Sequence, residues 1–182
     1  MQVLGIVGSP RIGGNTDVLV DEILAGAEES GATIEKVILN KLEIKPCQAC
    51  NSCYKTGKCV QEDDMIPLFD KMEQSDVLVL GTPVYWWGPT AQFKAFFDRW
   101  YNPKHQKLKG KRVIITIPLG GGSETYARHT LGMIEDSLNY IGLNIVEKVL
   151  APGFGRRGAV RDNSNLMKKA RDAGRKALGK ST

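Results

Sequence analysis

The sequence lacks several features that mark other classes of protein. No apolar run approaches the roughly 20 residues that a membrane-spanning helix requires, and residues 1–7 have neither the basic region nor the cleavage site of a signal peptide. Only two histidines occur, His105 and His129, and neither neighbours a Ser, Asp or Cys that would indicate a triad or metal site. These absences predict a cytoplasmic protein with no membrane contact.

The composition is that of an ordinary globular domain. Apolar residues make up 42% of the 182 positions and charged residues 25%, a balance that predicts a single domain over residues 1–182. The net charge of +5 owes much to residues 156–180. Because no aromatic side chains are interleaved there to stack on bases, we interpret these cations as the solvated face of one exposed helix and predict no nucleic-acid binding. An acidic protein partner is the second interpretation.

Five apolar, β-rich segments alternate with five segments of helical periodicity. Strands are predicted at residues 3–8, 33–39, 76–81, 112–118 and 144–149, and helices at 16–30, 63–74, 89–100, 125–141 and 164–178. This alternation predicts an α/β fold, a parallel sheet with helices on both faces. The segment at about 40–62 has no clear period and holds every cysteine. A long irregular loop in a compact domain is usually functional.

A glycine-rich turn, residues 8–16, follows the first strand and leads into the first helix. Free N–H groups and the helix dipole make such a turn an anion site. The candidate ligands are Ser9, Arg11, Gly14, Asn15 and Thr16. A Walker A loop would have a lysine where Gly14 stands, so an NTPase is disfavoured. The turn predicts binding of a phosphate group; the alternative is a simple connection.

An aromatic loop follows the third strand. Its candidate ligands are Pro83, Val84, Tyr85, Trp86 and Trp87. Aromatic faces and backbone N–H groups suit an isoalloxazine ring, although one or two of these side chains are also expected in the core or at a subunit contact. The turn after the fourth strand adds Gly120 and Gly121, because glycine lets the backbone approach a flat ring closely.

All four cysteines fall within thirteen residues, as Cys47-x2-Cys50-x2-Cys53-x5-Cys59. Four crowded thiolates suit a [4Fe–4S] cluster, whereas structural zinc more often uses two Cys-x-x-Cys pairs separated by a longer finger. Disulfides are disfavoured in a reducing cytoplasm. Unligated redox or structural thiols remain an alternative.

The order of these motifs resembles that of the iron–sulfur flavoproteins, in the NADPH-dependent FMN reductase branch of the flavodoxin-like proteins. The phosphate loop, the cysteine motif, residues 62–65 (Glu-Asp-Asp-Met) and the aromatic loop follow one another along essentially the whole chain. The resemblance implies a three-layer flavodoxin-like fold with strand order 2-1-3-4-5, whose ligands bind outside the carboxyl ends of the first and third strands. It also implies a homodimer or homotetramer.

The resemblance further assigns roles to the candidate residues. Ser9, Arg11, Asn15 and Thr16 would hold the FMN phosphate, residues 83–87 the flavin ring, and the four cysteines the cluster. No protein acid or base is required, because the flavin supplies the redox chemistry. Asp63 and Asp64 are accordingly interpreted as carboxylates at a helix N-terminus.

Three functions stay open at this point. The first is electron transfer between a donor, ferredoxin or NAD(P)H, and an acceptor through a [4Fe–4S] cluster and FMN. The second is a cluster-free NAD(P)H-dependent FMN or quinone reductase. The third is a non-catalytic FMN-binding module, which zinc could stabilise.

Overall fold

The computed structural model describes residues 1–179 and contains one five-stranded parallel sheet. Its order is β2-β1-β3-β4-β5, which confirms the predicted fold class and strand order. The strands are β1 Gln2–Val7, β2 Thr33–Ile38, β3 Val77–Gly81, β4 Arg112–Pro118 and β5 Asn144–Ala151. The α-helices are α1 Asn15–Glu29, α2 Ser52–Thr56, α3 Met65–Gln74, α4 Ala91–Asp98, α5 Arg128–Ile141 and α6 Ser164–Lys176.

The two faces of the sheet carry separate apolar cores. Strand β3 is buried along its whole length and β1 along all but its first residue, which explains their nearly continuous apolar sequences. Side chains of α1 and α6 fill one face. Those of α3, α4 and α5 fill the other. Phe93, Phe96, Phe97 and Trp100 all lie in this second core, so the predicted apolar stripe of α4 is confirmed.

Helices α1 and α6 approach each other closely enough to require glycine. A Cβ atom on Gly26 would lie 1.9 Å from the carbonyl oxygen of Arg171, and one on Gly174 would lie 1.9 Å from that of Ile23. The side chains of Arg171 and Arg175 then pair with Glu22 and Glu29 of α1.

The interpretation of residues 156–180 as one helix face is therefore wrong for residues 156–163, which precede α6, whereas Lys168, Lys169 and Lys176 do lie on a solvent-exposed part of that helix. Arg156, Arg157 and Arg161 lie on the connection before α6, while Arg171 and Arg175 are held in ion pairs with α1. The periodicity did not show this, because the partners are about 140 residues away in sequence. Lys180 lies outside the described residues.

Several boundaries differ from those predicted. The cysteine segment contains the short helix α2, and α5 is preceded by a 3-10 turn at Glu124–Ala127. Strand β5 runs to Ala151, two residues further than predicted. Among residues 1–179, no helix combines the length and apolarity needed to cross a bilayer.

Candidate flavin and cysteine sites

The turn between β1 and α1 has the geometry of an anion site. Its shape is fixed by Gly13, whose N–H donates to Asp17 Oδ2 at 2.7 Å, and by Gly14, whose N–H donates to the Arg11 carbonyl at 2.9 Å. A Cβ atom on Gly14 would lie 2.7 Å from that same carbonyl oxygen. Within residues 1–179 the N–H groups of Asn15 and Thr16 make no hydrogen bond. These residues fit a phosphate, whose oxygens would accept hydrogen bonds from the two unused N–H groups.

A cavity of about 220 Å³ joins the phosphate loop to the aromatic loop. Ser9, Arg11, Asn15 and Thr16 line it together with Pro83, Val84, Tyr85 and Gly120. An adjoining cavity of about 210 Å³ shares Val84 and Gly120 and is lined by Trp86, Trp87, Gly121 and Tyr126. Together the two reach the range of roughly 300–1,000 Å³ that is usual for ligand pockets. The structure therefore brings both predicted loops to one crevice at the carboxyl edge of the sheet.

Asn15 has a role that the sequence did not indicate. Its Nδ2 donates to the carbonyl oxygens of Phe154 and Arg156, at 2.7 and 2.9 Å, and its Oδ1 accepts from the N–H of Val160 at 3.3 Å. The side chain thus fastens the loop after β5 to the phosphate turn, and only its backbone N–H remains free for an anion.

The loop after β5 is the part of the crevice that sequence reasoning missed. Phe154, Gly155 and Arg157 line the larger cavity, and the Arg157 guanidinium donates to the carbonyl of Ile12 in the phosphate turn. A signal was present in the sequence, since residues 153–158 form a second turn rich in glycine and arginine.

The aromatic loop ends in a strained turn. Tyr85 and Gly88 exchange backbone hydrogen bonds of 2.8 and 3.1 Å, and the two residues between them, Trp86 and Trp87, have φ values of 52° and 65°. Left-handed backbone disfavours residues other than glycine and asparagine. Trp86 is 91% exposed, so its indole stands at the rim of the crevice.

All four cysteines line a second cavity, which shares no lining residue with the crevice. Burial raises the pKa of Cys53, and the nearby sulfurs of Cys59 and Cys47 act in the same direction. Hydrogen bonds from the backbone and hydroxyl of Ser52 lower the pKa of Cys50. Backbone N–H groups also point at sulfur, as from Gln61 to Cys59 at 3.5 Å.

These sulfurs do not converge on a single point. Among residues 1–179, no group of three or more His, Cys, Asp or Glu side chains has the geometry to hold a single metal ion. One zinc ion would require sulfurs about 2.3 Å from a common centre. A cuboidal cluster instead places each cysteine on a different iron atom, so its four sulfurs stand further apart.

A buried ion pair lies under the cysteine cavity. Arg99 and Asp63 have side chains that are 3% and 1% exposed. Burial acts to raise the pKa of Asp63, but hydrogen bonds from Arg99 and from the N–H of Lys45 hold it below its usual value. Asp63 is thus not simply the helix-end carboxylate that its position predicted. Asp64 also accepts a hydrogen bond, at 2.7 Å, from the N–H of Glu43.

Helix α4 connects the two sites. Its N-cap residue, Thr90, donates through Oγ1 to the Gly8 carbonyl at the start of the phosphate turn. At its other end, Nη2 of Arg99 donates to Cys59 Sγ at 3.4 Å. Nine residues of helical rise place the backbones of Thr90 and Arg99 about 13 Å apart along the axis. Arg99 was missed because a lone cation beside an apolar helix stripe does not reveal its partners.

Comparisons with known proteins agree with this geometry. The sequence model of the family described as NADPH-dependent FMN reductase matches residues 1–155. An iron-sulfur flavoprotein of Archaeoglobus fulgidus is 38% identical over 183 aligned positions, which cover 97% of this chain and 78% of the relative. An iron-sulfur flavoprotein of Methanosarcina thermophila is 34% identical, over 80% of this chain and 77% of its own length.

A solved structure extends the comparison of the fold. An FMN-dependent NADH-azoreductase from Bacillus anthracis, in complex with FMN, superposes with a TM-score of 0.76 at 13% identity, over 98% of this chain and all of the other. The chain belongs to the NADPH-dependent FMN reductase family. It is an FMN-dependent oxidoreductase.

Proposed function

We propose that this protein is an iron–sulfur flavoprotein that transfers electrons between a donor, NAD(P)H or a ferredoxin, and an acceptor. FMN would occupy the crevice, and a [4Fe–4S] cluster would be held by Cys47, Cys50, Cys53 and Cys59. Relatives that align over most of the chain bear that name. The observation that carries the proposal is the one cavity that all four cysteines line, joined by α4 to the phosphate turn.

The residues of the crevice would bind and orient the flavin. The N–H groups at the start of α1, with the buried hydroxyls of Ser9 and Thr16, would bind the phosphate. Arg11 and Arg157 add positive charge beside it. Residues 83–87 and the glycines at 120 and 121 would face the ring, and the side chain of Asn15 would hold the crevice closed on one side.

When bound, FMN exchanges one or two electrons and the cluster exchanges one at a time, so the pair can link two-electron and one-electron reactions. The protein's contribution would be to hold each group in its own cavity, with α4 in contact with both sites and with arginine charge beside each. A homodimer or homotetramer and a cytoplasmic location are part of the proposal.

The direct test is the content of iron, acid-labile sulfide and flavin in anaerobically purified protein, with its visible spectrum. We expect about four irons per FMN, the stoichiometry of a four-cysteine cubane. Cys50→Ala should lose iron and keep most of its FMN, because the two cavities share no residue. Unchanged iron and spectrum in this variant would refute the ligand assignment.

A cluster-free NAD(P)H-dependent FMN or quinone reductase is the second candidate. The family description favours it, since it names NADPH and FMN and no cluster. Protein that contains FMN but no iron after anaerobic reconstitution, and whose flavin is bleached rapidly by NADPH, would establish this alternative. A readily bleached flavin in protein that also contains four irons would leave the first proposal in place and identify its donor.

A further inference from the structure

Arg99 belongs to an ion pair unlike any other in the described part of the chain. Of the pairs formed within residues 1–179, that with Asp63 is the only one in which both side chains are buried. Removing two charges from water is costly unless each finds several partners. A buried cation at the end of α4, next in sequence to the core residue Trp100, therefore requires a reason for its presence.

The hydrogen bonds of the pair supply one reason. Arg99 Nη1 donates to Asp63 and, at 3.0 Å, to the carbonyl of Lys45, while Nη2 donates to Cys59 Sγ at 3.4 Å. Asp63 in turn accepts from the N–H of Lys45 at 3.0 Å and from that of Met65 at 3.2 Å. The pair thus ties the beginning of the cysteine segment to its end and orients one sulfur between them.

We infer that Arg99 is a positioning residue that raises the electron affinity of the group held by the cysteines, and that Asp63 has the opposite effect. The inference rests on the proposed function. Hydrogen bonds to sulfur, net charge and solvent exposure govern the reduction potentials of iron–sulfur sites. Arg99 contributes a hydrogen bond to sulfur and a positive charge, from a side chain that is only 3% exposed.

The sign of the effect follows from charge. Uptake of one electron from the flavin or donor, without a proton, makes the cysteine site more negative by one unit. A buried positive charge on Cys59 Sγ stabilises that reduced state, and the negative charge of Asp63 opposes it; neither is strongly screened by solvent. Arg99 should therefore raise the midpoint potential, and Asp63 should lower it.

A purely structural role makes a different prediction. If the pair only held the loop, Arg99→Gln and Asp63→Asn would both destabilise the protein and would not move the potential in opposite directions. The double variant Asp63→Asn/Arg99→Gln removes both charges and leaves no unpaired charge in the interior. Lys94→Gln is the matched control, because Lys94 is an exposed cation on the same helix, paired with Asp98.

The experiment measures the midpoint potential of the iron–sulfur signal by anaerobic EPR titration, with iron per FMN determined for every variant. We expect a lower potential in Arg99→Gln, a higher one in Asp63→Asn, a value between these in the double variant, and no change in Lys94→Gln. If Arg99→Gln fails to retain iron, Asp63→Asn and the double variant decide the question, since the first should still lie above the second.

Two results would overturn the inference, and they are distinguishable. Fully loaded protein whose potentials do not move, or move in the same direction in both single variants, would refute the role of Arg99 and leave the proposed function intact. Wild-type protein that holds no iron after anaerobic reconstitution would refute the proposed function, and this inference with it.

Discussion

The flavin crevice and the cysteine segment are stabilised in different ways. The crevice is formed by loops that each follow a parallel strand. The hydrogen-bonded sheet therefore fixes the spacing of these loops. The cysteine segment has one helix of five residues, and Ala49 and Asn51 adopt left-handed backbone within it. One buried ion pair fastens both of its ends. Substitutions should therefore affect the two regions independently and to different degrees.

The largest effect on the free energy of unfolding is expected at the buried pair of Arg99 and Asp63. Arg99→Leu would leave the buried carboxylate of Asp63 without its counter-ion, with only the N–H groups of Lys45 and Met65 as donors. Breaking such a pair typically costs about 3–5 kcal/mol. Urea unfolding of the apo-protein should show this loss. Lys94→Leu, which breaks an exposed pair on the same helix, should cost less than about 1 kcal/mol. A similar small loss in both variants would show that the cysteine segment does not depend on Arg99.

The next largest effect is expected where one side chain fastens the crevice. Asn15→Ala would remove the donor to the carbonyls of Phe154 and Arg156, and each such hydrogen bond contributes about 0.5–1.5 kcal/mol. FMN affinity should fall with stability, while iron content stays unchanged. Asn139→Ala, at an exposed position of α5, is the control and should be nearly neutral. Full FMN affinity in Asn15→Ala would mean that the loop after β5 is not needed for binding.

Substitution in the phosphate turn should mainly weaken the binding of FMN. Gly14→Ala places a methyl group 2.7 Å from the carbonyl of Arg11, so the turn must open. We expect at least tenfold weaker FMN binding in a fluorescence titration, which corresponds to about 1.4 kcal/mol. Gly132→Ala adds a methyl group to helix α5 where nothing lies within 4 Å, and should instead raise stability by about 0.5–1 kcal/mol. Unaltered affinity in Gly14→Ala would place the phosphate elsewhere.

The smallest effect is expected at the rim. Trp86→Asn keeps the turn but tolerates its left-handed backbone better, and the indole it removes is 91% exposed. Thermal unfolding should show a gain of up to about 1 kcal/mol. A lower melting temperature would show that the indole makes stabilising contacts that outweigh the strain.

Local patterns were sufficient to predict the five strands and the longer helices, and to indicate two loops that line one crevice. Alternating apolar runs predicted all five strands, and the spacing of Phe93, Phe96, Phe97 and Trp100 predicted the buried face of α4. The glycine-rich turn and the aromatic loop were recognisable because each lies directly beside the strand that positions it. Such signals depend on neighbours within a few residues, and the sequence displays them directly.

The side chains that were misjudged or missed are those whose partners are distant in sequence. Asn15 bonds to a loop about 140 residues away, and Arg99 bonds to Cys59, 40 residues away. No periodicity or motif in the sequence indicates either of these hydrogen-bond partners. Asp63 was assigned to a helix end because its local position fits that role, whereas its main partner comes from another helix.

The sequence by itself determined the class of fold, the order of the motifs and the clustering of four thiols. Only the tertiary structure decided that the loop after β5 completes the crevice, and that α4 touches the phosphate turn at one end and the cysteines at the other. The physical reason is that the sequence dictates local backbone preference and apolar periodicity. The partners of a buried polar group are chosen only when the chain packs.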